Sequence, residues 1–278
     1  MFKIVKKTEL NPIEFEIFVD APRIAKKALA GQFVILRIDE HGERIPLTVV
    51  DTDVEKGLVR LIFQVIGKST AELATLTAGE SLADLVGPLG KATDIENYGS
   101  VLLVGGGVGI AALFPIVKAL KKAGNHVITI LGAKNKELMI LADECKAYSD
   151  ELIVMTDDGS LGEKGLVTDA MEAVFAKEDI NMAWAIGPSI MMKFCTLTAQ
   201  KAEVPIFVSL NPIMVDGTGM CGGCRVTIDE EIKFACVDGP EFLGAGVDWD
   251  EFINRMGQYR TEEGISNEAY EKQVIHNG

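Results

Sequence analysis

A chain of 278 residues, 48% of them hydrophobic, is long enough for a sizeable core and suggests two domains with a small appendage. Its formal net charge of -14 disfavours nucleic acid and membrane surfaces as partners, although local backbone amides still bind phosphates in an acidic protein. There is no apolar run long enough to cross a bilayer, and "MFKIVKKTELNPIEFEIFVDAPR" is charged throughout with no apolar signal segment, so a cytoplasmic protein is expected.

Residues 1–97 read as β. "FVILRI" (Phe33 to Ile38), "PLTVVD" (Pro46 to Asp51) and "VRLIFQVIG" (Val59 to Gly67) are rich in β-branched and aromatic residues, with turn signals between them and one helix near Ser69 to Leu76. This spacing predicts a small antiparallel barrel. In "RIPLTV", Arg44, Pro46 and Thr48 share one face of a strand, with Leu47 between them. The arginine can hold a phosphate and the threonine hydroxyl can bond a flavin ring nitrogen; an ordinary half-buried strand with one exposed arginine is the alternative. "GKST" offers the amides and hydroxyls of Gly67, Ser69 and Thr70 to a pyrophosphate, or simply caps a helix. "GPLG" (Gly87 to Gly90) is expected to be a loop joining the halves.

Residues 98–210 change texture to alternating strands and helices, the signature of a parallel sheet with crossovers. "VGGGVGIAA" holds Gly105, Gly106, Gly107, Gly109 and Ile110 between a buried strand and an amphipathic helix, where amides and a helix N-terminus can meet a pyrophosphate. The spacing is GGGxG, which a tight turn without ligand explains as well. Three further strand ends are expected in the same cleft: Gly132, Ala133 and Lys134; Asp157 and Asp158, as ribose acceptors or turn caps; and Gly187 with Pro188. Lys134 and Lys136 can meet a 2′-phosphate, so the choice between NADH and NADPH stays open.

Residues 211–243 carry three of the five cysteines, and residues 244–278 read as a charged helical tail. Cys145 and Cys195, in helical stretches, are expected to be buried packing thiols. Asp216, Cys221, Cys224 and Cys236 form D-x4-C-x2-C-x11-C, which keeps the C-x4-C-x2-C spacing of plant-type [2Fe–2S] loops with aspartate at the first ligand position. The four glycines at 217, 219, 222 and 223 let the loop curl and turn amides toward sulfur. Zinc also accepts three thiolates and a carboxylate, and Asp216 can instead cap a turn with Gly217.

"TDDGSLGEKGLVTD" (Thr156 to Asp169), "NPIMVDGTGMCGGCRV" (Asn211 to Val226) and "FACVDGPEF" (Phe234 to Phe242), in this order after a barrel, resemble ferredoxin–NADP reductase-like electron-transfer subunits along essentially the whole chain. The nearest groups are the electron-transfer subunit of dihydroorotate dehydrogenase B and the small subunit of NADH-dependent reduced ferredoxin:NADP+ oxidoreductase, also called sulfide dehydrogenase. The first group has cysteine where this chain has Asp216, so the resemblance favours the second. It implies FAD, NAD(H) and a [2Fe–2S] cluster, and a heterodimer with a larger subunit carrying a second flavin and [4Fe–4S] clusters. Electron bifurcation and an indirect link to ferredoxin follow from the same resemblance. It calls for no dedicated acid–base residue. The alternatives are electron transfer for a dihydroorotate dehydrogenase and a non-enzymatic cluster-bearing redox sensor.

Overall fold

The computed structural model describes residues 1–277. An antiparallel five-stranded sheet runs Asp51–Asp53, Leu58–Gln64, Glu14–Asp20, Phe2–Asn11, Ser81–Leu82, and a three-stranded one runs Ile45–Thr48, Phe33–Arg37, Asp84–Leu89. Together they enclose Ile4, Ile17, Val34, Leu36, Leu61 and Phe63 as the barrel core. The helix Lys68–Thr75 adds the buried Leu73 to that core.

Two barrel strands, Phe2–Asn11 and Glu14–Asp20, lie in the charged N-terminal segment, for which no individual strand was expected. Glu16 is buried because Arg60 on the neighbouring strand neutralises it, with Nε donating to Oε1 at 2.7 Å. Glu14 is buried against Asn11 Nδ2 at 2.5 Å. Arg60 also donates to Glu144 Oε2 at 2.6 Å, and Lys118 donates to Asp51 Oδ2 at 2.7 Å, so two ion pairs tie the barrel to the second sheet. Removing one partner of the buried Arg60–Glu16 pair strands the other charge, at a cost of about 3–5 kcal/mol. "PLTVVD" is two short strands rather than one, interrupted at Val49 and Val50, whose amides donate to Gln32 and Arg60 carbonyls. "GPLG" is not a joining loop: Leu89 pairs with Phe33 at the end of the strand Asp84–Leu89.

The second sheet runs Glu163–Lys164, Glu151–Thr156, His126–Ala133, Ser100–Gly106, Met182–Ile186, Ile206–Ser209, Glu241–Leu243. All its pairings are parallel except the last. Alternate residues of the central strand face opposite layers: Val101 and Leu103 meet the helix Gly109–Lys122, while Leu102 and Val104 meet Val167–Phe175 and Ser189–Lys201. Cys145 and Cys195 are fully buried, each pushed up to about 12 by desolvation, as packing thiols should be.

The C-terminal part adds a hairpin, Arg225–Ile228 with Glu231–Phe234, turned by Asp229 and Glu230 at φ 50 and 64. Its return strand Glu241–Leu243 adds to the edge of the parallel sheet. The tail is two helices, Trp249–Met256 and Arg260–Asn277, rather than one, broken around Gly257. The last residue, 278, lies outside the described residues. Among those residues no helix is long and apolar enough to cross a membrane.

Candidate functional site

The chain enters the parallel sheet at its centre, builds outward to one side, and then crosses to the other. The crevice between Ser100–Gly106 and Met182–Ile186 is therefore a topological switch point, where open α/β sheets bind ligands beyond the strand carboxyl ends. The two predicted turns meet there. A Cβ on Gly109 would lie 2.5 Å from the Ile186 carbonyl oxygen and 2.7 Å from Gly187 Cα. One on Gly187 would lie 2.6 Å from Met191 Cε and 3.1 Å from the Gly106 oxygen. These glycines thus let two backbone turns touch. Gly107 behaves differently: its φ is +55 and its Cβ position faces open space. Its amide donates to the Gly132 oxygen at 2.9 Å, and its carbonyl accepts from Ile110 at 3.1 Å, so the turn closes without a ligand. Gly132 makes room for Val167 Cγ1, which would sit 2.4 Å from a Cβ.

The loops after His126–Ala133 and Glu151–Thr156 form one ledge. Asp157 N donates to the Ala133 oxygen at 3.2 Å, and Lys136 N donates to Ser160 Oγ at 2.8 Å. Asp158 accepts from Ser160 N at 2.9 Å and from its hydroxyl at 2.6 Å, which hold its carboxyl below the usual range. Asp158 is therefore a turn cap. Asp157 and Lys134 are exposed, with no side-chain hydrogen bond or ion pair among the described residues, and Pro188 precedes the helix Ser189–Lys201.

On the barrel, Ser69 donates to Glu43, which brings the Gly67–Thr70 turn beside the segment leading into Ile45–Thr48. The Thr70 hydroxyl is used locally: it accepts from Ile66 N at 3.0 Å and Gly67 N at 3.2 Å and donates to the Gly67 oxygen at 3.0 Å. It is a cap, whereas the first helical amides are left without intrahelical partners. Arg44 is exposed and unpaired among the described residues; Pro46, Leu47 and Thr48 are half-buried on the strand paired with Phe33–Arg37. An unpaired arginine next in sequence to Glu43, which Ser69 bonds, together with free helical amides, suits a pyrophosphate, so these residues fit a flavin nucleotide.

The cysteine segment is only partly assembled. Cys224 Sγ and Cys236 Sγ are buried 3.1 Å apart as free thiols. Two sulfurs on one tetrahedral metal, each bound at about 2.3 Å, stand roughly 3.7 Å apart, so a small opening admits it. Burial and the Cys224 contact push the Cys236 thiol up to about 12, so metal binding must displace its proton. Backbone amides already face sulfur, Gly223 N to Cys221 Sγ at 3.4 Å and Cys236 N to Cys224 Sγ at 3.5 Å. Gly217, Gly219 and Gly222 take positive φ, as a curled loop requires. Cys221, however, is exposed, and Asp216 spends both oxygens on backbone amides, Thr218 N at 2.8 Å and Cys221 N at 2.7 Å. These bonds hold the Asp216 carboxyl below its usual range. Among the described residues no three His, Cys, Asp or Glu side chains stand together as a metal site. Of the four expected ligands, then, two meet, and the other two flank them on the same loop. The donor set and the sulfur-facing amides fit an iron–sulfur centre.

This loop sits on the barrel. A Cβ on Gly217 would lie 2.7 Å from both Ile35 Cδ1 and Leu89 Cδ1, and Ile35 pairs with Pro46. Two residues at this end carried no motif: Glu43, the partner of Ser69, and Arg255, which donates to the Gly223 oxygen at 3.3 Å; Glu241, within "FACVDGPEF" but given no role there, accepts from Thr93 Oγ1 at 2.5 Å and Trp184 Nε1 at 3.2 Å.

Residues 211–248 match the iron–sulfur cluster binding domain of dihydroorotate dehydrogenase B, and residues 103–196 match the oxidoreductase NAD-binding domain. A dihydroorotate dehydrogenase B (NAD(+)) electron transfer subunit homolog of Thermotoga maritima is 57% identical over 97% of this chain and 95% of its own length. The corresponding electron transfer subunit of Desulforamulus reducens is 33% identical over 89% of this chain and 97% of its own length. Among solved structures, one of the NADH-dependent reduced ferredoxin-NADP oxidoreductase, described for flavin-based electron bifurcation, superposes with a TM-score of 0.93 at 56% identity, covering 97% of this chain and 98% of that one.

Proposed function

The chain belongs to the family of dihydroorotate dehydrogenase B electron-transfer subunits and their homologues, and from that premise we propose that it exchanges hydride between NAD(H) and FAD and passes single electrons through a [2Fe–2S] cluster to or from a larger flavin and [4Fe–4S] subunit. It is an oxidoreductase subunit with an NAD-binding domain and an iron–sulfur domain. When bound, FAD supplies hydride chemistry and one-electron release, and the cluster supplies one-electron transfer. The residues of this chain bind, orient and join those groups. Gly105, Gly106, Gly107, Gly109 and Ile110 shape the pyrophosphate turn, with Gly187 and Pro188 as its opposite wall. Gly132, Ala133 and Lys134, with Asp157, form the ribose ledge, and Asp158 keeps that ledge in shape. Arg44 and the amides of the Gly67–Thr70 turn hold the flavin pyrophosphate, while Pro46, Leu47 and Thr48 line its ring. Cys221, Cys224 and Cys236 hold the cluster, with Asp216 at the fourth position.

The observation that carries this reading is the seat of the cluster loop: Gly217 presses on Ile35 and Leu89, in the same three-stranded sheet that carries Ile45–Thr48. One rigid sheet thus serves both electron carriers. A larger partner fits the apolar side chains that this segment leaves uncovered: Met220 is 88% exposed, and Val215, Ile232 and Val237 are also exposed.

The test is anaerobic purification with iron and flavin analysis, followed by stopped-flow mixing with NADH and, separately, NADPH. Two irons and one FAD per chain, with the flavin absorbance bleached by one of the two nucleotides, are expected; a protein without flavin sinks the reading. The names of the relatives favour one second reading, electron transfer for dihydroorotate oxidation. Tagged chain that recovers a flavin and [4Fe–4S] subunit supports the first reading; one that recovers a dihydroorotate-oxidising subunit supports the second.

A further inference from the structure

We infer that Arg255, beyond the segment matched to the cluster-binding domain, is a positioning residue for the iron–sulfur centre: it fixes the carbonyl between two ligand cysteines and supplies the positive charge that the centre faces. The inference rests on the reading that this loop holds a cluster.

Arg255 stands on a stiff support. Asp248 caps the helix Trp249–Met256 by accepting from Glu251 N at 2.9 Å, and Trp249 Nε1 donates to the Gly244 oxygen at 3.1 Å. Trp249 and Phe252 are buried in the same core as Cys224 and Cys236. Arg255 follows Phe252 by three residues and so shares its helix face. From there Nη2 donates to the Gly223 oxygen at 3.3 Å, and Gly223 in turn aims its amide at Cys221 Sγ at 3.4 Å. The guanidinium therefore holds the one residue that adjoins Cys224 and bonds Cys221.

One further donor of Arg255 is unsatisfied. Its Nε is buried without a hydrogen-bond partner among the described residues. It forms no ion pair there, although Glu251 stands four residues earlier and the chain has 41 Asp and Glu against 27 Lys and Arg. A buried donor left without an acceptor costs about 1–3 kcal/mol, and more on a charged group. In so acidic a chain a half-buried cation without an ion pair, its Nε buried and unbonded, points to an acceptor that the polypeptide lacks. A thiolate-ligated iron–sulfur centre has that chemistry: negative charge and sulfur acceptors, in the loop that Arg255 already grips.

The test compares Arg255→Gln and Arg255→Lys in the full chain loaded with iron and sulfide, by redox titration of the cluster followed by EPR. At the wild-type midpoint, Arg255→Gln should lower the reduced-to-oxidised ratio about tenfold, which is about 59 mV for one electron. Arg255→Lys keeps the charge and should stay within about threefold. Melting of the iron-free chains separates a folding defect from an electrostatic one. An unchanged potential in iron-replete Arg255→Gln overturns the inference. Should Arg255→Gln fail to fold, Arg255→Lys decides: a retained potential supports the charge role, and a tenfold shift overturns it. Wild-type chain that takes up no iron indicts the cluster reading itself, before any variant is compared.

Discussion

The two chemical ends of this molecule are built by opposite means. At the carboxyl end of the parallel sheet, backbone does the shaping: Gly107 closes onto Gly132, Gly109 lets two turns touch, and the ledge is bonded across loops, all without a ligand. In the cysteine loop the backbone is curled and its amides face sulfur, but only Cys224 and Cys236 meet, while Cys221 and Asp216 bond amides instead. On the proposed reading, the nucleotide side is bonded within the chain, whereas a cluster held by all four residues would need Cys221 and Asp216 to approach Cys224 and Cys236. The difference follows from chemistry. Amide donors aimed at phosphate satisfy themselves at little cost when it is absent, whereas thiolates held together without metal repel each other and take up protons.

The comparison breaks most visibly if the two ends prove coupled. Cys224→Ser should remove the cluster, with iron falling below about a tenth of wild type, because Cys224 is half of the preassembled thiol pair. Nucleotide affinity, measured by calorimetry with NADH, should stay within about twofold. The converse variant is Gly109→Ala. Its new methyl meets the Ile186 carbonyl and the Gly187 backbone, neither of which is a side chain that can swing away. Overpacking of this kind costs about 1–3 kcal/mol. NADH affinity should drop about tenfold or more, with iron content unchanged; loss of iron in Gly109→Ala would show that the two ends are one cooperative unit.

How much of this was legible in the sequence differs between the ends for the same reason. The strand-to-helix alternation and the glycine turn are local, and the elements stand close to where "SVLLVGGGVGIAALFPIVKALKKAG" and its successors put them. The cysteine spacing was legible too, since the matched iron–sulfur domain covers it. What the sequence hid depends on distant partners. Glu14 and Glu16 gave no sign of being buried, because their partners are the side chains of Asn11 and Arg60, which bond them in the fold. The Thr70 hydroxyl looks free for a phosphate in "GKST" but is spent on Gly67 and Ile66. Arg255 lies 32 residues from the glycine it holds, and no motif spans that gap.

Asp216 gives a finer test of how far the loop must rearrange. Each carboxylate oxygen already holds an amide, which leaves one lone pair apiece for a metal and ties ligation to the shape of the turn. Asp216→Cys places the thiolate of plant-type loops at the same spacing and should keep the cluster while shifting its potential and spectrum. Asp216→Asn should cost about 1 kcal/mol through a weakened turn and lower iron occupancy severalfold. An Asp216→Cys protein whose EPR spectrum and midpoint match wild type would mean that the aspartate is only a turn residue.

The smallest effect is expected where the ends are joined. Glu241 lies on the edge strand that returns from the cysteine loop, and its carboxylate accepts from Thr93 on the interdomain linker and from Trp184 on a strand of the parallel sheet. Gly31 of the barrel packs against the same group, with Glu241 Oε1 2.7 Å from where its Cβ would be. Desolvation raises the Glu241 pKa above its ordinary 4.5, against the lowering effect of the two hydrogen bonds. The folded chain therefore binds this proton more tightly than the unfolded chain. Its contribution to stability is fully present below the ordinary value and is lost as the pH rises through the folded one. Glu241→Gln carries no such charge at any pH. Thermal melting from pH 5 to 8 should show the wild type losing a few degrees relative to Glu241→Gln, the scale of about 1 kcal/mol in a chain of this size. A difference that stays flat across that range would mean the carboxylate is solvated in the native protein, and that the three parts meet through packing alone.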